Sequence, residues 1–297
     1  MMIPIVDAHH HIWRQADLPW LQGPMVPRIF GPYEPIRRDY SIEEFLADIS
    51  GLGVQRSVYV QTNWAKSRAV EEVAWVQSVA ENHGWPHAIV GYADLLDEDV
   101  GKTLEHQARF SLMRGVRMQL HWHENEMYRF AARPDLMDDP MLRRNIRRLA
   151  DHGWSFDLQV FTSQMTDAAR LAKDNADIVF VLQHAGMPED LSASGRDAWR
   201  NGMRRLAAQE NVVVKLSGLG TFIHRNDAGH IADIVSETIV IFGSDRCVFG
   251  SNFPIEKLWT DYADLISTYR AVLGGYTEEA KRAMLRDNAL RIYRMGT

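Results

Sequence analysis

Gly115-Val116-Arg117-Met118-Gln119-Leu120-His121-Trp122-His123 alternates without a break between apolar and polar side chains. Strand side chains point to opposite faces with a period of two. Val116, Met118, Leu120 and Trp122 therefore share one face, and Arg117, Gln119, His121 and His123 share the other. The apolar face suits packing against helices. The polar face is wrong for a core, because each buried group left without a partner costs roughly 1–3 kcal/mol, so it makes sense only where it lines a site.

Seven further runs rich in β-branched or aromatic residues surround this one, at 3–11, 55–63, 87–94, 154–161, 178–184, 212–217 and 247–252. Helix-like stretches separate them. Ser41 heads the segment 42–49, which Gly51 and Gly53 follow, and Asp139 with Pro140 opens a segment that Gly153 closes. Strands alternating with helices imply a parallel sheet with right-handed crossovers, and eight such units are the number that closes a barrel. An open doubly wound sheet is the alternative, but no Gly-rich phosphate loop follows the first run. The expected fold is α/β, a (β/α)8 TIM barrel formed by residues 1–297 as a single domain. An extra C-terminal helix is expected over 277–294.

Of 297 residues, 46% are hydrophobic and 24% charged, which suits a globular chain with a sizeable core. The formal net charge of -6 gives no general attraction to nucleic acid or anionic membranes, so a small molecule is the expected partner. Self-association into a homo-oligomer is compatible with these numbers. Cys247 is the single cysteine, which excludes an intrachain disulfide and fits a reducing compartment. Its apolar surroundings favour a buried thiol over a nucleophile. No apolar run reaches the ~18 residues of a membrane span, and the N-terminus lacks the pattern of a signal peptide. A cytoplasmic location is the expectation. Arg143, Arg144, Arg147 and Arg148 fall at helical spacing and read as a solvated helix face.

Applying the alternation test to the other runs, with the apolar parity facing the helices, collects a ring of polar side chains. These are His9 and His11 on the first strand, and Tyr59, Gln61 and Asn63 on the second. Asp157 and Gln159 follow on the fifth, His184 on the sixth, Lys215 and Ser217 on the seventh, and Asn252 on the eighth. Catalytic residues of this fold come from these strand ends. His9 and His11 lie about 7 Å apart along one strand face, close enough for both rings to converge on one ion.

The chain resembles the amidohydrolase superfamily, in particular its branch of sugar-lactone and pyrone-dicarboxylate lactonases. Six segments carry the resemblance, which spans almost the whole chain. They are Ile5-Val6-Asp7-Ala8-His9-His10-His11-Ile12-Trp13, Arg114-Gly115-Val116-Arg117, and Val181-Leu182-Gln183-His184-Ala185-Gly186-Met187-Pro188. The others are Val214-Lys215-Leu216-Ser217-Gly218-Leu219, Phe249-Gly250-Ser251-Asn252-Phe253-Pro254, and Asp287-Asn288-Ala289-Leu290-Arg291-Ile292-Tyr293. The resemblance implies that His9, His11 and His184 occupy positions which help bind a divalent ion in metal-using relatives. No inward Lys on strand four or His on strand five supports a second ion, so the resemblance implies one divalent metal, zinc or manganese, or none. It also implies an Asp as general base on strand eight, where this chain has Asn252. An amide does not accept a proton at neutral pH, which leaves Asp157, Glu256 or a site histidine for that task.

The expected reaction is hydrolysis of a small lactone, a sugar lactone or a carboxylated one, by water attack on the ring carbonyl. His184, Asn252, Arg117 and Asp157 are the expected catalytic residues. Gln61, Asn63, His121, Lys215 and Trp13 are expected to contact substrate. Arg117 offers a fork of donors for a carboxylate or hydroxyl, or pairs internally with Asp157. Lys215 either contacts substrate or forms a buried pair with Asp157. The aromatic connection 13–40 is either a lid or ordinary packing over the barrel mouth. Two other readings stand beside hydrolysis: a metal-dependent decarboxylase of the same superfamily, against which Asn252 argues, and a degenerate barrel that binds a ligand without turnover.

Overall fold

A computed structural model describes residues 3–296. Eight strands follow one another in chain order around one sheet: β1 (Ile5–His10), β2 (Val54–Val60), β3 (Ala88–Gly91), β4 (Met113–Arg117), β5 (Ser155–Leu158), β6 (Phe180–Leu182), β7 (Val212–Leu216) and β8 (Cys247–Phe249). All seven consecutive pairings are parallel. The chain just beyond β8 returns to β1, where Asn252 N donates to His9 O at 2.7 Å and His11 N to Phe253 O at 2.8 Å. Asp7 adds a side-chain stitch by accepting from Ser251 N at 2.8 Å and Ser251 Oγ at 2.6 Å. The result is a nearly closed (β/α)8 barrel, as the strand pattern leads one to expect.

The capping signals behave as their chemistry requires. Ser41 accepts from Glu44 N at the start of the helix Ile42–Asp48. Asp139 accepts from Met141 N and Leu142 N at the helix Pro140–Ile146. Thr277 caps the C-terminal run. That run comprises Glu278–Arg282, a π-helical turn Ala283–Asp287, and Asn288–Ile292. Cys247 is buried, with its Sγ donating to Gly243 O at 3.3 Å. Arg144, Arg147 and Arg148 are exposed, while Arg143 pairs with Asp174 and Asp138. No helix among the described residues is long and apolar enough to cross a membrane.

Two apolar layers hold the barrel together. Large side chains such as Phe45, Phe156, Phe180 and Phe249 fill the space around the strands. Small ones, Val6, Ala8, Val58, Val60, Val181 and Val213, fill the interior together with Leu290, Ile292 and Tyr293 of the C-terminal run. A barrel interior is a packed core, and its narrow bore favours compact β-branched residues. The expectation that the apolar parity faces the helices therefore holds on β4 and β5 and fails on β1 and β2. Tyr59 is the correction this entails. It points outward, its OH donating to Glu72 Oε1 at 2.8 Å on the helix Ala69–His83.

Strand β1 carries a bulge that decides where the histidines go. Asp7 pairs with Ser57 and His10 with Tyr59, three steps on one strand against two on its neighbour. The extra residue resets the alternation. Val6 and Ala8 fill the interior below, His9 and His11 face the barrel mouth above, and His10 faces out to stack on Phe45 at 3.9 Å.

Candidate active site

His9, His11 and His184 meet at the C-terminal mouth of the barrel. The His9 ring centroid lies 5.0 Å from that of His11 and 4.9 Å from that of His184. Two of the rings are locked by neighbours. His11 Nδ1 sits 2.7 Å from Val60 O, and since a carbonyl only accepts, Nδ1 carries the proton and Nε2 keeps a free lone pair. His184 Nδ1 lies 2.9 Å from Ser217 Oγ. Both nitrogens of His9 are buried without a partner. Burial holds all three imidazoles neutral. It drives His184 down to about 3, helped by the charges of Arg117 and Lys215, and puts His9 and His11 well below the ordinary histidine value.

Local backbone makes this convergence possible. His184 follows β6, whose Phe180 and Leu182 face the helices, and simple alternation would send His184 the same way. Instead its backbone turns left-handed, with φ 53°, and Ala185 and Met187 do likewise. Bulky residues enter this region only when the surroundings enforce it, and such sites cluster where function is placed. Gly218, at φ +61°, gives the ring its room, since a Cβ there would lie 2.6 Å from His184 Nδ1. Gly250 does the same for His9, whose Cβ would stand 2.7 Å from an added methyl.

One pocket opens above the histidines. Its inner wall includes His11, His184, Arg117, Asn252, Gln119 and His121. Arg117 Nη2 donates to Gln61 O, its Nε is buried without a partner, and burial lowers its pKa to about 10. Burial also drives His121 down to about 3. Asn252 occupies a left-handed position, φ 59°, which asparagine tolerates better than most residues. Beside it Glu256 is fully buried, accepts from Trp259 Nε1 at 2.8 Å, and is pushed up to about 8 by burial. This shift favours the protonated carboxyl and weighs against Glu256 as the base.

The expected site residues divide into two groups. His11, Trp13, Asn63, Arg117, His121, His184 and Asn252 line the pocket. His9, Gln61, Asp157 and Lys215 do not, being sealed beneath it. Lys215 Nζ reaches Asp157 Oδ2 at 2.7 Å, so the buried pair is the alternative this lysine adopts. Gln183 Nε2 donates to the same oxygen at 3.0 Å. Gln61 Nε2 donates to Gln119 Oε1 at 3.2 Å and thereby holds a wall residue.

The connection 13–40 lies along the mouth and forms part of the pocket wall. Trp13 and Tyr40 pair as an antiparallel bridge at its base, and Trp20 Nε1 donates to Thr62 O at 2.9 Å. Across the mouth His224 Nε2 stands 3.1 Å from Ile29 O. Residues that sequence reasoning passed over also line the pocket: Arg28, Tyr128, Arg129, Phe130, Thr221 and Phe222. Their one signal in the sequence is position in loops that follow strands β1, β4 and β7, which this fold places around the mouth.

The three imidazoles suit a divalent ion in their chemistry. They are neutral, His9 has two orphaned nitrogens, and His11 offers an Nε2 whose tautomer is fixed by its other hydrogen bond. Among the described residues, no group of three or more His, Cys, Asp or Glu side chains is spaced as a ready coordination shell. The cluster is thus a donor set that an ion would have to draw together.

A (β/α)8 barrel with His9, His11 and His184 gathered at its mouth has the architecture on which barrel enzymes place their active sites. The family model described as "Amidohydrolase" matches residues 6–295, and the chain belongs to that family. It is 35% identical over 295 residues to "Uncharacterized protein y4mH" of Sinorhizobium fredii, covering 99% of both chains. It is 29% identical over 266 residues to the L-fucono-1,5-lactonase of Burkholderia ambifaria, covering 87% of this chain and 83% of that one. Among solved structures, an amidohydrolase from Burkholderia multivorans with bound zinc superimposes with a TM-score of 0.83 at 25% identity, covering 99% of this chain and 100% of that one.

Proposed function

We propose that this chain hydrolyses a small lactone at the mouth of the barrel. The observation that carries this reading is the meeting of three neutral imidazoles beneath a pocket walled by Arg117 and Asn252. The likeness to an L-fucono-1,5-lactonase supports it.

Water adds to the ring carbonyl, the new bond to oxygen forms, and the ring C–O bond breaks to give a hydroxy acid that releases its proton at neutral pH. His184, oriented through Ser217, presents Nε2 for a hydrogen bond with that water. Asn252 orients water or substrate through its amide, and Arg117 donates to the developing oxyanion or to a substrate carboxylate. Asn63, His121 and Trp13 contact the ring from the wall. Asp157 and Lys215 act from below as positioning residues, with Asp157 fixing Gln183 and Lys215. A zinc or manganese ion held by His9, His11 and His184 would supply Lewis acidity and lower the pKa of bound water.

The test is a pH-indicator screen of aldonolactones and carboxylated lactones, with chelator and with added zinc or manganese. Hydrolysis of at least one class, abolished in His184→Ala with folding intact, is the expected result. No turnover of any lactone under any metal condition would remove the reading.

A further inference from the structure

The pocket has an unusual charge inventory for a chain of net charge -6. Three arginines line it, Arg28, Arg117 and Arg129, and no Asp or Glu does. Arg117 lies within the barrel mouth. Arg28 and Arg129 belong to the connections after β1 and β4, which form the outer rim.

Arg28 differs from the other two. Arg129 is tied down, donating to His123 O at 3.0 Å and Glu124 O at 2.9 Å, with its guanidinium 5.0 Å from the Trp122 ring. Arg28 makes no hydrogen bond or ion pair through its side chain among the described residues, and its Nε is buried without a partner. What it has is an aromatic shelf: its guanidinium lies 5.5 Å from the Trp20 ring and 5.9 Å from Tyr33. The shelf is rigid. Trp20 is fixed by its bond to Thr62 O and packs on Phe30 at 6.3 Å.

Cation–π contact positions a guanidinium without using its donors, which leaves the planar fork free for a planar anion. A neutral ligand closing over Arg28 would strip water from the charge and return nothing, whereas a carboxylate would offset that loss with charge-assisted hydrogen bonds. We infer that Arg28 is a specificity-determining residue which binds a carboxylate on the substrate end remote from the scissile carbonyl. The preferred substrate is then a lactone of a diacid rather than a neutral sugar lactone. This rests on the hydrolase reading above and narrows its substrate class.

The experiment compares two lactones that differ only in bearing a carboxylate or a hydroxymethyl group away from the reacting carbonyl. The wild-type chain is expected to prefer the carboxylated member in kcat/KM. Arg28→Ala should shrink that preference roughly tenfold through KM, with Arg28→Lys recovering only part of it. Equal loss on both lactones, or no preference in the wild type, overturns the inference. If neither lactone turns over, the hydrolase reading fails, and calorimetric titration with citrate then decides the role of Arg28 alone. Weaker citrate binding in Arg28→Ala upholds the carboxylate contact, and unchanged or absent binding overturns it.

Discussion

Lys215 Nζ and Asp157 Oδ2 lie 2.7 Å apart in the barrel interior with neither side chain exposed. Tyr293 from the C-terminal run shares the site, its OH 3.5 Å from Asp157 Oδ1 and its ring 5.4 Å from Lys215 Nζ. Burial lowers the lysine's pKa, and the charge and hydrogen bond of Asp157 oppose that shift. Removing one member of such a pair leaves an uncompensated charge and costs roughly 3–5 kcal/mol, while replacing both with apolar side chains of similar volume is often neutral. Lys215→Met should therefore be strongly destabilised in urea titration, and the double change to Met and Leu should recover most of the loss. A single variant as stable as the parent would show that the pair holds nothing together.

Glu256 makes stability depend on pH. Its pKa is raised from 4.5 to about 8 by burial. Between these values the folded chain holds a proton that the unfolded chain has lost, so this group's contribution to stability falls as pH rises through that window. Glu256→Gln keeps an acceptor for Trp259 Nε1 and removes the titration. Thermal unfolding from pH 5 to 8 should decline less steeply in the variant than in the parent. Parallel curves would place the Glu256 pKa near its ordinary value.

Gly218 is expected to tolerate no side chain. Its positive φ strains any L-residue, and an added Cβ would press on His184 Nδ1, the atom that faces Ser217. Gly218→Ala should lower kcat at least tenfold, an order of magnitude set by misplacing a catalytic group by about 1 Å. Gly51→Ala serves as a control for backbone strain alone, because its φ is also positive and nothing lies within 4 Å. Equal activity in the two variants would mean that the packing of His184 is irrelevant.

What the sequence made legible was periodic. Eight runs and their caps define the barrel, and the alternation that starts on β4 and runs past its end leads to Arg117, Gln119 and His121 in the pocket wall, though not to His123. Where the backbone departs from an ideal strand, alternation alone misleads. His9 and His11 reach the mouth because of a bulge that no residue type announces, and His184 arrives by a left-handed turn from the parity that faces the helices. Tyr59 is misplaced for a different reason, since valines fill the interior of β2 and the larger tyrosine is left for the outer layer. The rim residues Arg28, Tyr128 and Phe222 sit on irregular connections, where no period exists to be read.

The family resemblance implies an acid at the position of Asn252, and introducing one offers the sharpest contrast between adaptation and decay. Aspartate accepts a left-handed backbone nearly as well as asparagine, so Asn252→Asp should fold, with an unchanged circular dichroism spectrum. The new carboxylate would enter a pocket lined by three arginines and no acid, next to the buried carboxyl of Glu256. Like charges at close range disfavour each other's ionisation, so Glu256 would hold its proton to still higher pH. An anionic substrate would meet repulsion where it now meets an amide. For a carboxylated lactone the expected outcome is a rise in KM and a fall in kcat/KM of roughly tenfold. Should kcat/KM rise instead, Asn252 is a lesion in a site still built for an acid, and its amide does not orient water or substrate.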